Sequence, residues 1–193
     1  MLLLQSAHFA TSDLLEIVGT TYIAARIAGR RLQKKGVIMR ARFIGQYDTL
    51  PTKHNPDLYK FQQDFGFLRT DGLLIISPVS SYTDGASIPR FFWRLIGHPL
   101  QGRNKYWSAP HDSGYKACAI IIDIKKYFMA AEDAFEHWED LDPEIGFIHR
   151  KDLPRKWWDR TLLEAMAACK ESWLKRRLVY MGVRIGGSGS FQS

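Results

Sequence analysis

Apolar residues recur at every second position in two stretches of the first half of the chain. Val37, Met39, Ala41 and Phe43 form one; Tyr59, Phe61, Phe65 and Phe67 form the other, with Gln63 in the same register. Period-two alternation sets one side of a strand against a core. Residues 47–57, with two prolines, Asn55 and Asp57, read as a loop between them. Asp71-Gly72 predicts a tight hairpin turn into a buried strand from Leu73 to Ile76. Residues 37–78 therefore read as a small antiparallel meander.

Past Ser87 the apolar spacing changes to three and four. Ser87 is placed to cap a short helix carrying Phe91, Phe92, Leu95 and Ile96, which Gly97 would end. A second helix is expected from Ser108, with Pro110 and His111 in its first turn and Tyr115 and Cys118 behind. Tyr127, Ala131, Ala134 and Trp138 predict a helix over 126–141, and Trp158, Leu162, Met166 and Trp173 predict one over 155–178. Strands first and helices afterwards point to an α+β fold, a small antiparallel β-meander followed by packed helices. Ahead of it, Ser12-Asp13 opens a further helical pattern through Leu14, Ile17, Val18, Ile23 and Ile27. The expected organisation is an N-terminal basic helical appendage at 1–36, one α+β domain at 37–186 and a flexible Gly/Ser tail at 187–193.

Composition narrows the class. With 193 residues, 46% hydrophobic and 24% charged, the chain is neither disordered nor fibrous and needs no disulfides to hold a core. Cys118 and Cys169 lack metal-binding spacing and are expected as buried free thiols in helices. No apolar run reaches the roughly 18 residues of a spanning helix, and no basic stretch followed by a long apolar one suggests a cleaved signal. The net charge of +7 is unevenly spread: residues 1–45 hold seven basic side chains against Asp13 and Glu16. Charge loaded at one end argues against a nucleic-acid-binding domain. It leaves two readings for 1–36, last-turn cations opposing the helix dipole or a docking element for a partner or an anionic membrane surface.

Three pieces carry candidate chemistry: Thr83-Asp84-Gly85-Ala86-Ser87-Ile88-Pro89, His111-Asp112-Ser113-Gly114-Tyr115, and Asp159 within the 155–178 pattern. A histidine in a first helical turn faces the positive dipole end, which disfavours imidazolium and leaves a ring suited to general base or metal ligand. His111 and Tyr115, four apart, share a helix face. If the 155–178 helix packs antiparallel on that face, Asp159 meets both, and the Tyr115 hydroxyl holds a carboxylate that fixes the histidine tautomer. The remaining nitrogen is then available to activate water. Asp84 and Asp112 add carboxylates suited to a hard divalent cation, calcium or zinc. Each piece also has a plain structural reading: a turn at Asp84-Gly85, a cap at Ser87, or a buried Asp–His–Tyr network that fixes the fold.

Taken in order, D-G-A-S-I-P at 84–89, A-P-H-D-x-x-Y at 109–115, D-x-x-x-x-E-A-M at 159–166 and Y-M-x-V-R-x-G-G at 180–187 resemble the family termed domain of unknown function thirteen fifty-three. Its members are largely encoded by bacteriophages, prophages and bacteria, so the resemblance implies a phage-type protein in a virion or the host cytoplasm. Residues 1–36 fall outside the family pattern and 119–154 look expanded within it. Virion or tail proteins then become the expected partners of residues 1–36. H-D-x-x-Y with a distant helical aspartate is also similar to the microbial phospholipase A2 pattern, without its disulfides or glycine-rich calcium loop. That likeness would make His111 the water-activating base, Asp112 a calcium ligand and Asp159 the group orienting the histidine. Two functional expectations stand side by side: a His/Asp hydrolase acting on cell-envelope material, and a non-enzymatic virion, tail or host-interaction component.

Overall fold

Arg69 and Leu73 face each other across a turn that only a glycine closes easily. Gly72 takes a φ of 85°, and the Arg69 N–H donates to Leu73 O at 2.9 Å. A computed structural model describes residues 39–85, 93–98 and 101–186. The expected helix at 1–36, the Ser87 cap with Phe91 and Phe92, and the 187–193 tail lie outside the described residues. The strands are β1 (Arg42–Ile44), β2 (Thr49–Pro51), β3 (Tyr59–Phe61), β4 (Phe65–Leu68), β5 (Leu73–Ser77) and β6 (Tyr82–Thr83). Helices follow as α1 (Trp93–Ile96), α2 (Asn104–Tyr115), α3 (Ile124–Tyr127), α4 (Ala131–Glu136), α5 (Pro143–Gly146), α6 (Arg155–Ala168) and α7 (Trp173–Gly186). One more strand, β7 (Ile120–Asp123), runs between α2 and α3.

The fold is α+β. Two antiparallel sheets form, with strand orders β1-β4-β5-β7 and β2-β3-β6. Successive residues of β5 point to opposite faces, so both sides of the larger sheet are buried. Ile75, with Phe67 and Ile121, packs against Trp107, Trp158 and Leu162 from α2 and α6. Leu74 and Ile76, with Leu68 and Ile122, pack against Ile124, Ala131 and Ala134 from α3 and α4. Tyr47, Phe61, Phe65 and Ala109 close a smaller core at the second sheet.

Several expected boundaries are corrected. The alternation from Tyr59 to Phe67 is not one strand, because Gln62–Asp64 bend away from it. Gln62 N–H donates to Asp48 O at 3.0 Å, and the Asp64 carboxylate accepts from Val79 N at 2.6 Å and Trp138 Nε1 at 2.7 Å. β3 and β4 consequently enter different sheets. The expected 47–57 loop contains β2, and the sheet expected to end at 78 gains β6 and β7. The 126–141 helix is broken at Phe128, which adopts φ of 54°, and the 155–178 helix is broken at Lys170, with φ of 59°. α2 starts at Asn104 rather than Ser108, its Asn104 amide donating to Ile96 O at 3.2 Å and His98 O at 2.9 Å. Pro110 therefore sits in the helix interior, where it supplies no backbone N–H. Cys118 and Cys169 are free and half-buried, just beyond the ends of α2 and α6 rather than inside helices.

Gly114 brings α2 onto α6. A Cβ there would stand 2.1 Å from the Trp158 ring, far inside contact distance. The glycine thus permits the two helix backbones to approach, and that approach carries Asp159, the residue after Trp158, to the polar face of α2.

Candidate functional site

Three elements deliver a cluster of ionisable side chains into the interior. α2 supplies His111, Asp112 and Tyr115, α6 supplies Asp159, and β6 ends in Thr83 with Asp84 and Gly85 following. His111, Asp112, Asp159 and Thr83 are all buried. His111 Nε2 lies 3.5 Å from Asp159 Oδ1, a long hydrogen bond, and Nδ1 lies 3.5 Å from Asp112 Oδ1. Nδ1 itself makes no hydrogen bond. The Tyr115 hydroxyl donates to Asp159 Oδ1 at 2.5 Å, and its ring tilts over His111 with centroids 4.0 Å apart. The structure therefore brings His111, Tyr115 and Asp159 together, with Asp112 on the far side of the imidazole.

Three residues without an assigned role in the sequence reading complete the cluster. Arg184 Nη1 donates to Asp159 Oδ2 at 2.8 Å. Arg155 Nε donates to the Tyr115 hydroxyl at 3.0 Å, while its Nη2 donates to Val183 O at 2.6 Å and Arg184 O at 2.9 Å. Thr83 Oγ1 donates to Asp112 Oδ2 at 2.5 Å, beside Gly85 N at 2.8 Å. Arg184 had a visible signal, the V-R step of the terminal motif. Thr83 opens the first candidate piece without a role of its own there, and Arg155 precedes Asp159 by one helical turn, a spacing too common to single it out.

Electrostatics overturn one expectation. His111 is the eighth residue of α2, two turns from the N-terminus, so the helix dipole does not keep its ring neutral. Burial pushes its pKa down, but the two facing carboxylates, Asp112 and Asp159, outweigh that and hold it above the ordinary value. Burial pushes Asp159 up, yet the bonds from His111, Tyr115 and Arg184 win and keep it below the usual carboxylate range. Asp112 is likewise held low against its burial, chiefly by His111 and Lys116. Tyr115 is raised by burial and by Asp159, so it remains a donor.

The calcium or zinc expectation does not fit these side chains. Asp112 Oδ2 faces a hydroxyl and an amide N–H, and Asp84 Oδ1 faces the Lys116 ammonium at 2.9 Å. Donors stand where a cation would need acceptors. Among the described residues no group of three or more His, Cys, Asp or Glu is placed to hold a metal ion.

The family described as Protein of unknown function (DUF1353) matches residues 59–183. The chain belongs to the DUF1353 family. The matched span holds the cluster from Thr83 to Asp159 and stops one residue before Arg184; β1 and β2 precede it. The chain is 35% identical over 77 residues to the "Uncharacterized protein y4jT" of Sinorhizobium fredii (strain NBRC 101917 / NGR234), covering 37% of this chain. It spans only 23% of that relative's length. No solved structure matches the chain. Among the described residues no helix is long and apolar enough to cross a membrane.

Proposed function

We propose that the DUF1353 cluster is a hydrolytic centre, in a phage-encoded protein acting on bacterial cell-envelope material, with His111 as its proton-transfer group. The observation that carries this reading is His111 Nδ1. The ring is fully buried and Nε2 is hydrogen-bonded to Asp159, whereas Nδ1 makes no hydrogen bond and only faces Asp112 Oδ1 at 3.5 Å. Buried polar atoms are nearly all bonded in native folds, so an unspent nitrogen indicates a catalytic role or a water position. With Asp159 accepting the Nε2 proton, the neutral ring keeps its lone pair on Nδ1. Water at Nδ1 gives its proton to that nitrogen as its oxygen attacks an acyl carbon, and the imidazolium returns the proton to the leaving group. Asp159, held by Tyr115 and Arg184, stabilises the imidazolium. The raised pKa of His111 makes the base form scarcer at neutral pH, so turnover should climb as the solution becomes alkaline.

A second reading is favoured by the complete burial of His111 and Asp159. There the network locks β6, α2, α6 and α7 together in a non-enzymatic virion, tail or host-interaction component. One experiment separates them. Purified protein and His111→Gln are incubated with phosphatidylglycerol–phosphatidylethanolamine vesicles and with peptidoglycan, reading released fatty acid and soluble fragments against pH. Release that rises with pH and vanishes in a folded His111→Gln protein supports the hydrolase. No release by folded wild type, together with a large stability loss in the variant, leaves the structural network.

A further inference from the structure

We infer that α7 docks the protein on an anionic lipid surface through an apolar row on its outer side. The helix has two apolar faces. The inner one, Val179, Gly182 and Val183, is buried against the core. The outer one presents Leu174 at 61%, Met181 at 48% and Ile185 at 71% exposure, with half-buried Leu178 between them. Steps of four, three and four residues keep these four side chains within an arc of about 60° at about 100° per residue. Trp173, 63% exposed, heads the same helix with the Arg177 guanidinium 5.4 Å from its ring centroid. Four of the nine exposed large hydrophobics among the described residues thus fall on one helix. Scattered apolar residues need no partner; a continuous row does.

Charge identifies what covers it. α7 carries Lys175, Arg176, Arg177 and Arg184 and no carboxylate. Lys175 is engaged by Glu171 and Asn104, and Arg184 by Asp159, but Arg177 lies at the rim of the row over Trp173. A second copy of the chain would bring the same cations and no acid to the seam. A one-residue-wide aliphatic row flanked by arginine and tryptophan matches the boundary between anionic headgroups and acyl chains.

The test is vesicle flotation with the full chain, which reads binding without turnover and so fails or succeeds independently of the hydrolytic reading. Wild type is floated with vesicles of phosphatidylglycerol in phosphatidylcholine and with phosphatidylcholine alone, beside Leu174→Ser/Met181→Ser/Ile185→Ser and Arg177→Glu. All four positions are exposed, and unchanged circular dichroism verifies folding. Wild type should float with the anionic vesicles only. The triple variant should lose that binding, and Arg177→Glu should weaken it about fivefold or more, the loss expected for one cation near a charged surface. Absence of wild-type flotation overturns the inference, as does binding that the triple variant retains, which would assign it to other cations. A wild-type dimer or acidic-protein complex that the triple variant abolishes, without vesicle binding, also overturns it and makes the face a protein interface.

Discussion

Replacing Asp159 by asparagine keeps its shape and removes one acceptor oxygen and the charge. The carboxylate takes the Tyr115 O–H on Oδ1 and the Arg184 N–H on Oδ2, with His111 Nε2 3.5 Å from Oδ1. Arg184 can only donate, so the asparagine carbonyl must turn to it, and its amide then faces Tyr115 and His111. The tyrosine hydroxyl can accept, although it already receives Arg155 Nε at 3.0 Å. His111 must give up its Nε2 proton. The Tyr115 and His111 contacts, worth about 1.5–3 kcal/mol each to a carboxylate, become neutral ones worth about 1 kcal/mol, and Arg184 keeps a bond but loses its opposite charge. The Arg184 share is discounted because that side chain is 42% exposed and rehydrates, whereas the facing His111 and Asp159 side chains are fully buried. The expected loss is about 2–3 kcal/mol, or roughly 4–12 °C in Tm for a chain of this size. Urea unfolding at slightly acidic pH, where His111 is charged, measures it. Loss of charge at Asp159 must also lower the His111 pKa, which a histidine-selective NMR titration reads. A variant within about 0.5 kcal/mol of wild type, or an unmoved histidine titration, would refute the assigned network.

Gly114→Ala should destabilise, because a Cβ 2.1 Å from Trp158 forces the two helices apart. Overpacking of about 1–3 kcal/mol or more opposes a helix-propensity gain of about 1 kcal/mol, and a variant more stable than wild type in urea would show that α2 and α6 are not so close. The pH dependence of stability has two signs. His111 is held above the ordinary value of about 6.5, so its contribution is complete below about 6.5 and is lost as pH rises through the folded pKa. Asp112 and Asp159 are held below about 3.9, so theirs is present above about 3.9 and is lost as pH falls through their folded values. Urea midpoints should therefore decline on the alkaline side, and His111→Gln should flatten that limb; a limb that persists in the variant belongs to another group.

Local signals were the legible ones. Asp71-Gly72 announces the β4–β5 hairpin because the turn chemistry is confined to two residues. The meeting of His111, Tyr115 and Asp159 could be anticipated because four-residue spacing places two of them on one helix face. The helix start was misread because Ser108 resembles a cap, while Asn104 spends its amide on carbonyls of the preceding segment, a tertiary contact. The earlier start also moves His111 out of the first turn and so changes the charge state expected for it. The split of Tyr59–Phe67 was equally hidden, since it depends on Asp64 reaching Val79 and Trp138. Arg155 stands one turn before Asp159 on α6, but its role depends on tertiary contacts, the Tyr115 hydroxyl and the carbonyls at the end of α7.

The pairing of β7 with β5 has a consequence for synthesis of the chain. β1, β4 and β5 are contiguous enough to pair as soon as they leave the ribosome, but the outer side of β5 stays open until Ile120–Asp123 has been made. Leu74, Ile75 and Ile76 line that open edge, and an apolar strand with unpaired N–H and C=O groups is a template for another nascent chain. Closing the edge requires a loop that spans all of α2, and such distant pairings form slowly. β7 in turn would become the new edge. It is shielded there by an antiparallel bridge between Ile122 and Phe147 and by the Ile148 N–H donating to Ile121 O at 2.9 Å. Thus Phe147 and Ile148, just beyond α5, set how long an apolar strand edge stays open to neighbouring chains on a polysome.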